Sequence, residues 1–511
     1  MIVSNNRSNA FLIPILLIGL LTIIGAITLL ILVDDAANPF KDMYLMPWVI
    51  MVGFVLSLPS LYLFYKKKFD FFHPLVFAAW SYFIPAFFLG GLILASGLSK
   101  PYFLVFIEDE QYNLPLTLVY VAIGYICLTI GFYLPISKKA ANKISARLPV
   151  WNWKSEQVLF PALMLLLMGL INTIMAFILG ILGFQRADAI GAFDGLIFLL
   201  TLFWLEASFL LWLAIFRTKT LNINHYLIIG LLFWFALTKS AYQGNRGSLF
   251  QIFILISCAF IYSRRPITFR HKVYGAVLLV AAVVGGMIYG TTFRNVKQTE
   301  AKVSMAEYTE NILTTFDQVA EQDLGSTFEQ GLTAMAERIE AVSTLGVVVA
   351  NYEKLEPYEE SYGLDHNIYK DSVTFFVPRP LWQDKPIASE PRKYSDLYFN
   401  FAESSFGITP IGDLLRNFGP YGIVFGMLFL GIVIRFIYST LIENQEFSYW
   451  RTTLYYMLLT AISYEGFFGT IIPYLIKVAF IVMIGILIVW FLMSRTHSAV
   501  PKMNYQLKTV N

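Results

Sequence analysis

Long apolar runs alternate with polar segments along the whole chain of 511 residues. A helix needs about 20 apolar residues to cross the roughly 30 Å hydrocarbon layer of a membrane. By that length the sequence predicts twelve spans: Ala10–Val33, Tyr44–Tyr65, Phe72–Gly97, Pro115–Leu134, Val158–Leu182, Gly195–Phe216, Ile223–Ala241, Gly247–Tyr262, Val273–Thr291, Gly419–Ser439, Tyr449–Glu465 and Thr470–Met493. The eighth run is short and the eleventh is polar. The pattern therefore predicts an all-α polytopic membrane protein with about 12 transmembrane helices.

The polar segments divide the chain into four parts. Residues 1–291 hold the first nine predicted spans, and residues 419–493 hold the last three. Between them, residues 292–418 form one large polar insert, and residues 494–511 form a tail. Apolar residues recur at helical spacing between Phe328 and Val348, so we expect the insert to be a mostly helical subdomain.

The distribution of basic residues predicts the topology. Charged residues make up only 14% of the chain, against roughly 25% in soluble domains, which excludes a soluble protein. The short loops that collect Lys and Arg all fall on one side: residues 66–68, 138–154, 217–219 and 264–272, with the tail. Cytoplasmic loops are enriched in these residues, so both termini are predicted to be cytoplasmic and the insert external. The first span lacks a cleavage site and is predicted to be a retained anchor.

The insert contains a proline-rich segment, FFVPRPLWQDKP, from Phe375 to Pro386. Three prolines in nine residues exclude a regular helix there. The segment is therefore predicted to be stiff and extended, with Arg379 and Lys385 held on its surface.

Three motifs together resemble the O-antigen or oligosaccharide repeat-unit polymerases (Wzy-like). They are GNRGSLFQIF at Gly244–Phe253, FVPRPLWQDKP, and TPIGDLLRNFGPYGIVFGMLFLG at Thr409–Gly431, with the large loop between the ninth and tenth spans. The resemblance implies a GT-C-like glycosyltransferase of the bacterial inner membrane. It would join undecaprenyl-diphosphate-linked repeat units into O-antigen, capsule or exopolysaccharide on the outer face. The paired Arg-x(10)-Gly pattern of the family is not matched at Arg186, because Ile197 occupies the glycine position.

Such a reaction needs a diphosphate clamp and a group that accepts a hydroxyl proton. The guanidinium fork binds phosphate oxygens in pairs, and an ammonium acts as a point charge. The candidate clamp residues are Arg246, Arg379, Lys385, Arg416 and Arg338. The candidate bases are His366, Glu403 and Asp413, of which His366 is the only external histidine. With cations to neutralise the leaving group and no external Asp-x-Asp, we expect metal-independent catalysis without a cofactor.

Two ionisable residues fall well inside predicted spans. Glu206 lies near the middle of the sixth and Lys477 in the outer third of the twelfth. Buried charges in membranes are usually paired or functional. Two alternatives follow: an ion pair between them or a protonated Glu206, and a Lys477 that lies beneath the diphosphate. Tyr464 and Glu465 are predicted to line the same cavity.

Two other functions remain open from sequence. An O-antigen ligase has the same layout but transfers a finished chain to a lipid core. A flippase or secondary transporter belongs to another class, and the large asymmetric insert and the absence of an internal repeat disfavour it. The predicted partners are the lipid-linked oligosaccharide, membrane lipids, a chain-length regulator and a repeat-unit flippase, with no nucleic acid.

Overall fold

A computed structural model describes residues 42–99, 101–185, 191–245, 247–321, 336, 338–403 and 405–498. The first predicted span, Ala10–Val33, lies outside these residues. Every regular element in the described part is helical. The main helices are α1 (Met46–Tyr65), α2 (Pro74–Ala95), α3 (Glu110–Tyr133), α4 (Pro135–Ser145), α5 (Ser155–Ile178), α6 (Asp194–Arg217), α7 (Ile223–Gln243), α8 (Ser248–Tyr262), α9 (Phe269–Lys297), α10 (Met305–Glu321), α11 (Val342–Tyr362), α12 (Asn367–Thr374), α13 (Pro391–Phe399), α14 (Thr409–Leu441), α15 (Tyr449–Ala461) and α16 (Phe468–Ser498).

Eight of the described helices are long and apolar enough to cross a membrane: α1, α2, α3, α5, α6, α9, α14 and α16. The predicted eighth span is the shorter apolar helix α8. Two more predicted spans coincide with α7 and α15, which are not among the eight. The protein is therefore a helical membrane protein, and the count of twelve stays a prediction.

The basic short loops meet at one end of the helices. The Arg217 guanidinium donates to the carbonyl oxygen of Ser263 at 3.3 Å, and Lys138 lies 3.5 Å from the carboxylate of Glu443. We call this end the basic-loop face. The residue 292–418 segment packs at the other end, where the Asn351 amide donates to the carbonyl oxygen of Phe106 at 2.8 Å. We call that end the insert face.

Close backbone contact joins α3 to α14. A methyl group built at Gly131 would overlap the carbonyl oxygen of Leu428, and one built at Gly431 would overlap that of Leu128. Small residues allow membrane helices to approach in this way, where dispersion contacts replace the hydrophobic driving force. The two glycines thus set the separation of α3 and α14.

The insert is docked on the membrane helices. Residues 79–89 of α2 are π-helical, and the carbonyl oxygen of Ala86 in this segment accepts a hydrogen bond from the amide of Ala341 at 3.2 Å. Gly346 of α11 faces Leu114 of α3, where an added methyl group would lie 2.9 Å from a Leu114 methyl carbon. The start of α11 is therefore continuous with the core of the helix bundle.

The helix α14 breaks at Gly419, whose φ of 64° and ψ of −164° are non-helical. Pro420 then begins the second part, as proline does at a helix start. The break separates residues 409–418, which contact both α11 of the insert and α3, from the apolar part of the helix that follows.

Candidate functional site

Three basic side chains come together where the insert meets α16. Arg379 lies in a short 3₁₀ turn after the extended Pro378, Lys385 follows in the same proline-rich segment, and Lys477 lies on α16. Burial lowers the pKa of Lys385, and the positive charges of Lys477 and Arg379 lower it further. Lys477 and Arg379 are therefore both within electrostatic reach of Lys385, and we call the three residues the cation cluster.

A carboxylate on α12 lies beside this cluster. The Asp371 carboxylate accepts a hydrogen bond from the amide of Ser389 at 3.2 Å and another from its hydroxyl. Burial raises the pKa of Asp371, while the positive charge of Lys477 lowers it. A methyl group at Gly469 would lie 3.2 Å from this carboxylate, and Gly469 and Lys477, eight residues apart, share a face of α16. Asp371 thus links the proline-rich segment to α16.

The cation cluster has spare binding capacity. Among the described residues, none of Arg379, Lys385 and Lys477 forms an ion pair. The ammonium of Lys385 donates a hydrogen bond to the carbonyl oxygen of Val377 at 2.9 Å. All three side chains are partly exposed. Some other insert cations are paired, such as Arg392, which lies 3.1 Å from Glu300. The cluster is therefore suited to an anionic ligand.

Asp413 and Arg416 lie instead in a buried polar network. The Arg416 guanidinium contacts Asp413 at 3.0 Å and Glu359 at 3.1 Å, and both its side chain and that of Asp413 are fully buried. Asp413 also accepts from the side-chain amide of Asn367 at 3.2 Å and from the backbone amide of Gly469 at 3.1 Å.

This geometry favours a structural role for two residues over the roles predicted from sequence. Asp413 is not placed to accept a substrate proton, because its oxygens are occupied and shielded. Arg416 is not placed to bind a diphosphate, because two carboxylates already hold its guanidinium. We reassign both residues to a structural role.

The buried network holds the cation cluster in position. The Asn367 side-chain amide donates to Asp413 and also to the hydroxyl of Ser389 at 3.1 Å. Ser389 in turn bonds Asp371. A continuous set of hydrogen bonds therefore runs from α14 to the end of the segment that carries Arg379 and Lys385.

The other predicted insert residues do not join the cluster. His366 is exposed at the start of α12 with a φ of 50°, and its ring centroid lies 6.3 Å from that of Tyr369. Glu403 is exposed in the loop before α14, and Arg338 is exposed before α11. Neither Arg246 nor Arg186 lies among the described residues.

A cavity of about 570 Å³ opens on the insert face between α6, α7, α8 and α16. Tyr464 and Glu465 line it, as does Tyr474, one turn before Lys477. Lys239 also lines it, with its ammonium 3.9 Å from the ring centroid of Trp204. This insert-face cavity combines aromatic and polar side chains next to the helix that carries Lys477.

Glu206 and Lys477 do not form the ion pair that was one of the sequence alternatives. The Glu206 carboxyl is fully buried against Gly485, and neither of its oxygens has a hydrogen-bond partner among the described residues. The carboxylate whose charge acts on Lys477 is Asp371. Lys477 therefore belongs to the cation cluster and not to an ion pair with Glu206.

Sequence reasoning missed Asp371, Asn367 and Glu359. Asn367 and Asp371 are four residues apart, so they share one face of α12, but no sequence signal distinguishes them from solvated loop residues. The resemblance to the repeat-unit polymerases rests on the three motifs quoted above. No protein-family model, no curated protein and no solved structure matches the chain.

Proposed function

We propose that this protein is a metal-independent glycosyltransferase that polymerises lipid-diphosphate-linked oligosaccharide repeat units into a surface polysaccharide. The observation that carries the proposal is the cation cluster. Three basic side chains without an ion pair among the described residues meet where a membrane helix joins a polar insert. A diphosphate at the membrane surface has the charge and the location to fit them.

In the proposed reaction, a hydroxyl of one lipid-linked oligosaccharide attacks the anomeric carbon of another. The new glycosidic bond forms as the bond to the diphosphate oxygen breaks, and the lipid diphosphate leaves. Arg379, Lys385 and Lys477 stabilise the charge that develops on the leaving oxygen. His366 and Glu403 are the two remaining candidates to accept the hydroxyl proton, because both are exposed on the insert face.

The insert-face cavity is the proposed place for the sugar and the first part of the lipid. Trp204, Tyr456 and Tyr474 supply apolar ring faces, while Gln243 and Gln251 supply amides. Rings suit the C–H faces of a sugar, and amides suit its hydroxyls. The cavity neighbours the helix that carries Lys477, so sugar and diphosphate would bind side by side.

The proposal includes the finer architecture predicted from sequence. It assigns the chain a GT-C-like arrangement of about twelve spans in a bacterial inner membrane. Both termini would be cytoplasmic and the insert external, so Arg246 and Arg338 stay additional candidates for diphosphate binding.

Polymer analysis of a deletion strain complemented with single variants tests the proposal. We expect Arg379→Ala, Lys385→Ala and Lys477→Met to give mostly single repeat units, with little residual long polymer. The matched controls Arg392→Ala and Lys370→Ala remove paired cations of the same insert and should give normal polymer. Normal polymer length in all three cluster variants would refute the clamp.

The same deletion strain distinguishes the proposed polymerase from a ligase. A ligase deletion leaves long polymer that is not transferred to a lipid core, whereas a polymerase deletion leaves single repeat units. Long polymer that accumulates on its lipid carrier in the deletion strain would therefore favour the ligase.

One observation favours the transporter as the second candidate. The described residues enclose a cavity on each face, the larger of about 1210 Å³ on the basic-loop face. Alternating access needs such openings on both sides. Movement of a lipid-linked sugar across a reconstituted bilayer, without formation of glycosidic bonds, would support it.

A further inference from the structure

A large cavity in the described part of the chain lies on the basic-loop face, away from the cation cluster. It occupies about 1210 Å³ between the ends of α1, α3, α8 and α14. Its lining includes five basic and three acidic side chains: Lys66, Lys68, Arg264, Arg265, Arg435, Asp70, Glu443 and Glu446. We call it the basic-loop cavity, and its excess of positive charge favours an anion.

The charges are unevenly compensated. Glu443 is paired with Arg435 through both carboxylate oxygens, at 2.9 and 2.8 Å. Arg264 and Arg265 donate to the carbonyl oxygens of Gln445 and Thr218, which are uncharged.

Two lysines and one partly buried acid also line the cavity. Lys66 and Lys68 have no ion pair among the described residues, and Lys66 lies over the rings of Tyr62 and Tyr65. Asp70 accepts from the amide of Phe72 at 3.0 Å and the hydroxyl of Tyr262 at 3.3 Å. Four cations thus face the cavity without a carboxylate of their own.

An independent observation comes from His73, which lines the same cavity. Its side chain is held between the rings of Phe132 and Tyr438, with both centroids at 5.0 Å, and the residue is only 5% exposed. Its Nδ1 has no hydrogen-bond partner among the described residues. A buried polar atom without a partner is costly, so this wall of the cavity holds an unsatisfied polar group beside the cations.

An apolar groove adjoins the cavity. It has a volume of about 330 Å³ between α1 and α3, and its lining includes Leu58, Pro59 and Ile130. Tyr62 and Tyr133 line both spaces, and their ring centroids are 6.2 Å apart. The cationic cavity and the groove therefore form one continuous surface with a polar and an apolar part.

We propose that this surface binds an anionic phospholipid, with its phosphate in the basic-loop cavity and an acyl chain in the groove. Basic pockets between membrane helices recognise acidic headgroups, and the groove adds the contact that a soluble phosphate does not make. The site is separate from the cation cluster and does not depend on the proposed glycosyltransferase activity.

Native mass spectrometry of the purified full-length protein tests this site. The probes are a phosphatidylglycerol, a phosphatidylcholine with the same acyl chains, and soluble glycerol phosphate. We expect the wild type to prefer phosphatidylglycerol over phosphatidylcholine by about tenfold or more. The triple variant Lys66→Gln, Lys68→Gln, Arg264→Gln should lose this preference.

Two further proteins make the outcome decisive. The matched triple variant Lys139→Gln, Lys143→Gln, Arg147→Gln removes exposed cations outside the cavity on the same face, and should keep the preference. Ile130→Trp fills the groove and should weaken phosphatidylglycerol binding severalfold while leaving the cations in place.

Three results would overturn the proposal. The first is equal binding of the two phospholipids by the wild type, and the second is an unchanged preference in the cavity triple variant. The third is a combined result: glycerol phosphate competes for the site as well as phosphatidylglycerol does, and the Ile130→Trp variant binds phosphatidylglycerol like wild type. That result would assign the cavity to a soluble phosphate instead.

Discussion

The backbone amide of Gly469 donates a hydrogen bond of 3.1 Å to the carboxylate of Asp413. This contact joins the start of α16 to the start of α14 inside a fully buried site. It fixes the position of Lys477 along α16 relative to the segment that carries Arg379 and Lys385. The arrangement of the three cations thus depends on a carboxylate that is not itself part of the cation cluster.

Removing Asp413 should unfold the region rather than impair chemistry alone. Asp413→Ala leaves the buried guanidinium of Arg416 with a single carboxylate, and breaking a buried pair costs about 3–5 kcal/mol. We expect a large drop in the thermal unfolding temperature in detergent and in the amount of folded protein. Asp365→Ala, which removes an exposed ion pair with Lys370, should change stability by less than about 1 kcal/mol. Equal effects of the two substitutions would contradict the structural role of Asp413.

Replacing Lys477 should change how polymer formation depends on pH. The charge of Lys477 lowers the pKa of Lys385, so Lys477→Met removes a repulsion and raises that pKa. Lys385 then stays charged to a higher pH, and the residual activity of the variant should persist further into the alkaline range. The measurement is repeat-unit polymerisation by membranes across pH, compared with Lys477→Arg, which keeps the charge. If Lys477→Met and wild type lost activity at the same alkaline pH, the charge of Lys477 would not act on the pKa of Lys385.

Glu340 should make stability depend on pH near neutrality. Burial raises the pKa of this carboxyl to about 7, opposed by hydrogen bonds from Ser343. Because the folded-state pKa lies above the unfolded value, the folded state binds the extra proton, and stability falls as pH rises from about 4.5 to about 7. The full difference corresponds to roughly 3 kcal/mol.

Glu340→Gln removes the ionisation and keeps an oxygen that can accept from Ser343. We expect this variant to be more stable than wild type above pH 7 and to lose the pH dependence in that window. Thermal unfolding in detergent from pH 5 to pH 8 measures both. A wild-type curve that is flat over this range would refute the prediction.

The contact between α3 and α14 should not tolerate a methyl group. Gly131→Ala and Gly431→Ala each force a methyl against a carbonyl oxygen of the partner helix, so the helices must separate. Overpacking of this kind typically costs about 1–3 kcal/mol, and more where backbone must move. Gly230→Ala is the control, since a methyl there meets nothing within 4 Å. Unfolding temperatures should fall for the first two variants and stay level or rise for the third.

The helical membrane fold was predictable because each apolar run long enough to span a membrane can be recognised from its own local sequence. Of the candidate site, the sequence singled out Arg379 and Lys385 through their prolines and Lys477 through its depth in a span. It did not reveal the buried pairing of Asp413 with Arg416, because a carboxylate and a guanidinium three residues apart look the same whether they face solvent or each other. Their pairing with Asn367, Glu359 and Gly469 depends on helices far apart in the chain, which local pattern does not encode.

The hydrogen bond from Ala341 to the π-helical carbonyl of Ala86 has a consequence for assembly. The first turns of α11 find their partners on the bundle, and Val342, Leu345 and Val348 have no accessible surface there. An excised fragment of residues 292–418 would present these side chains to water and lose the wall against which they fold. The insert therefore depends on the neighbouring helices for its fold, and it is better studied in the whole chain than as an isolated domain.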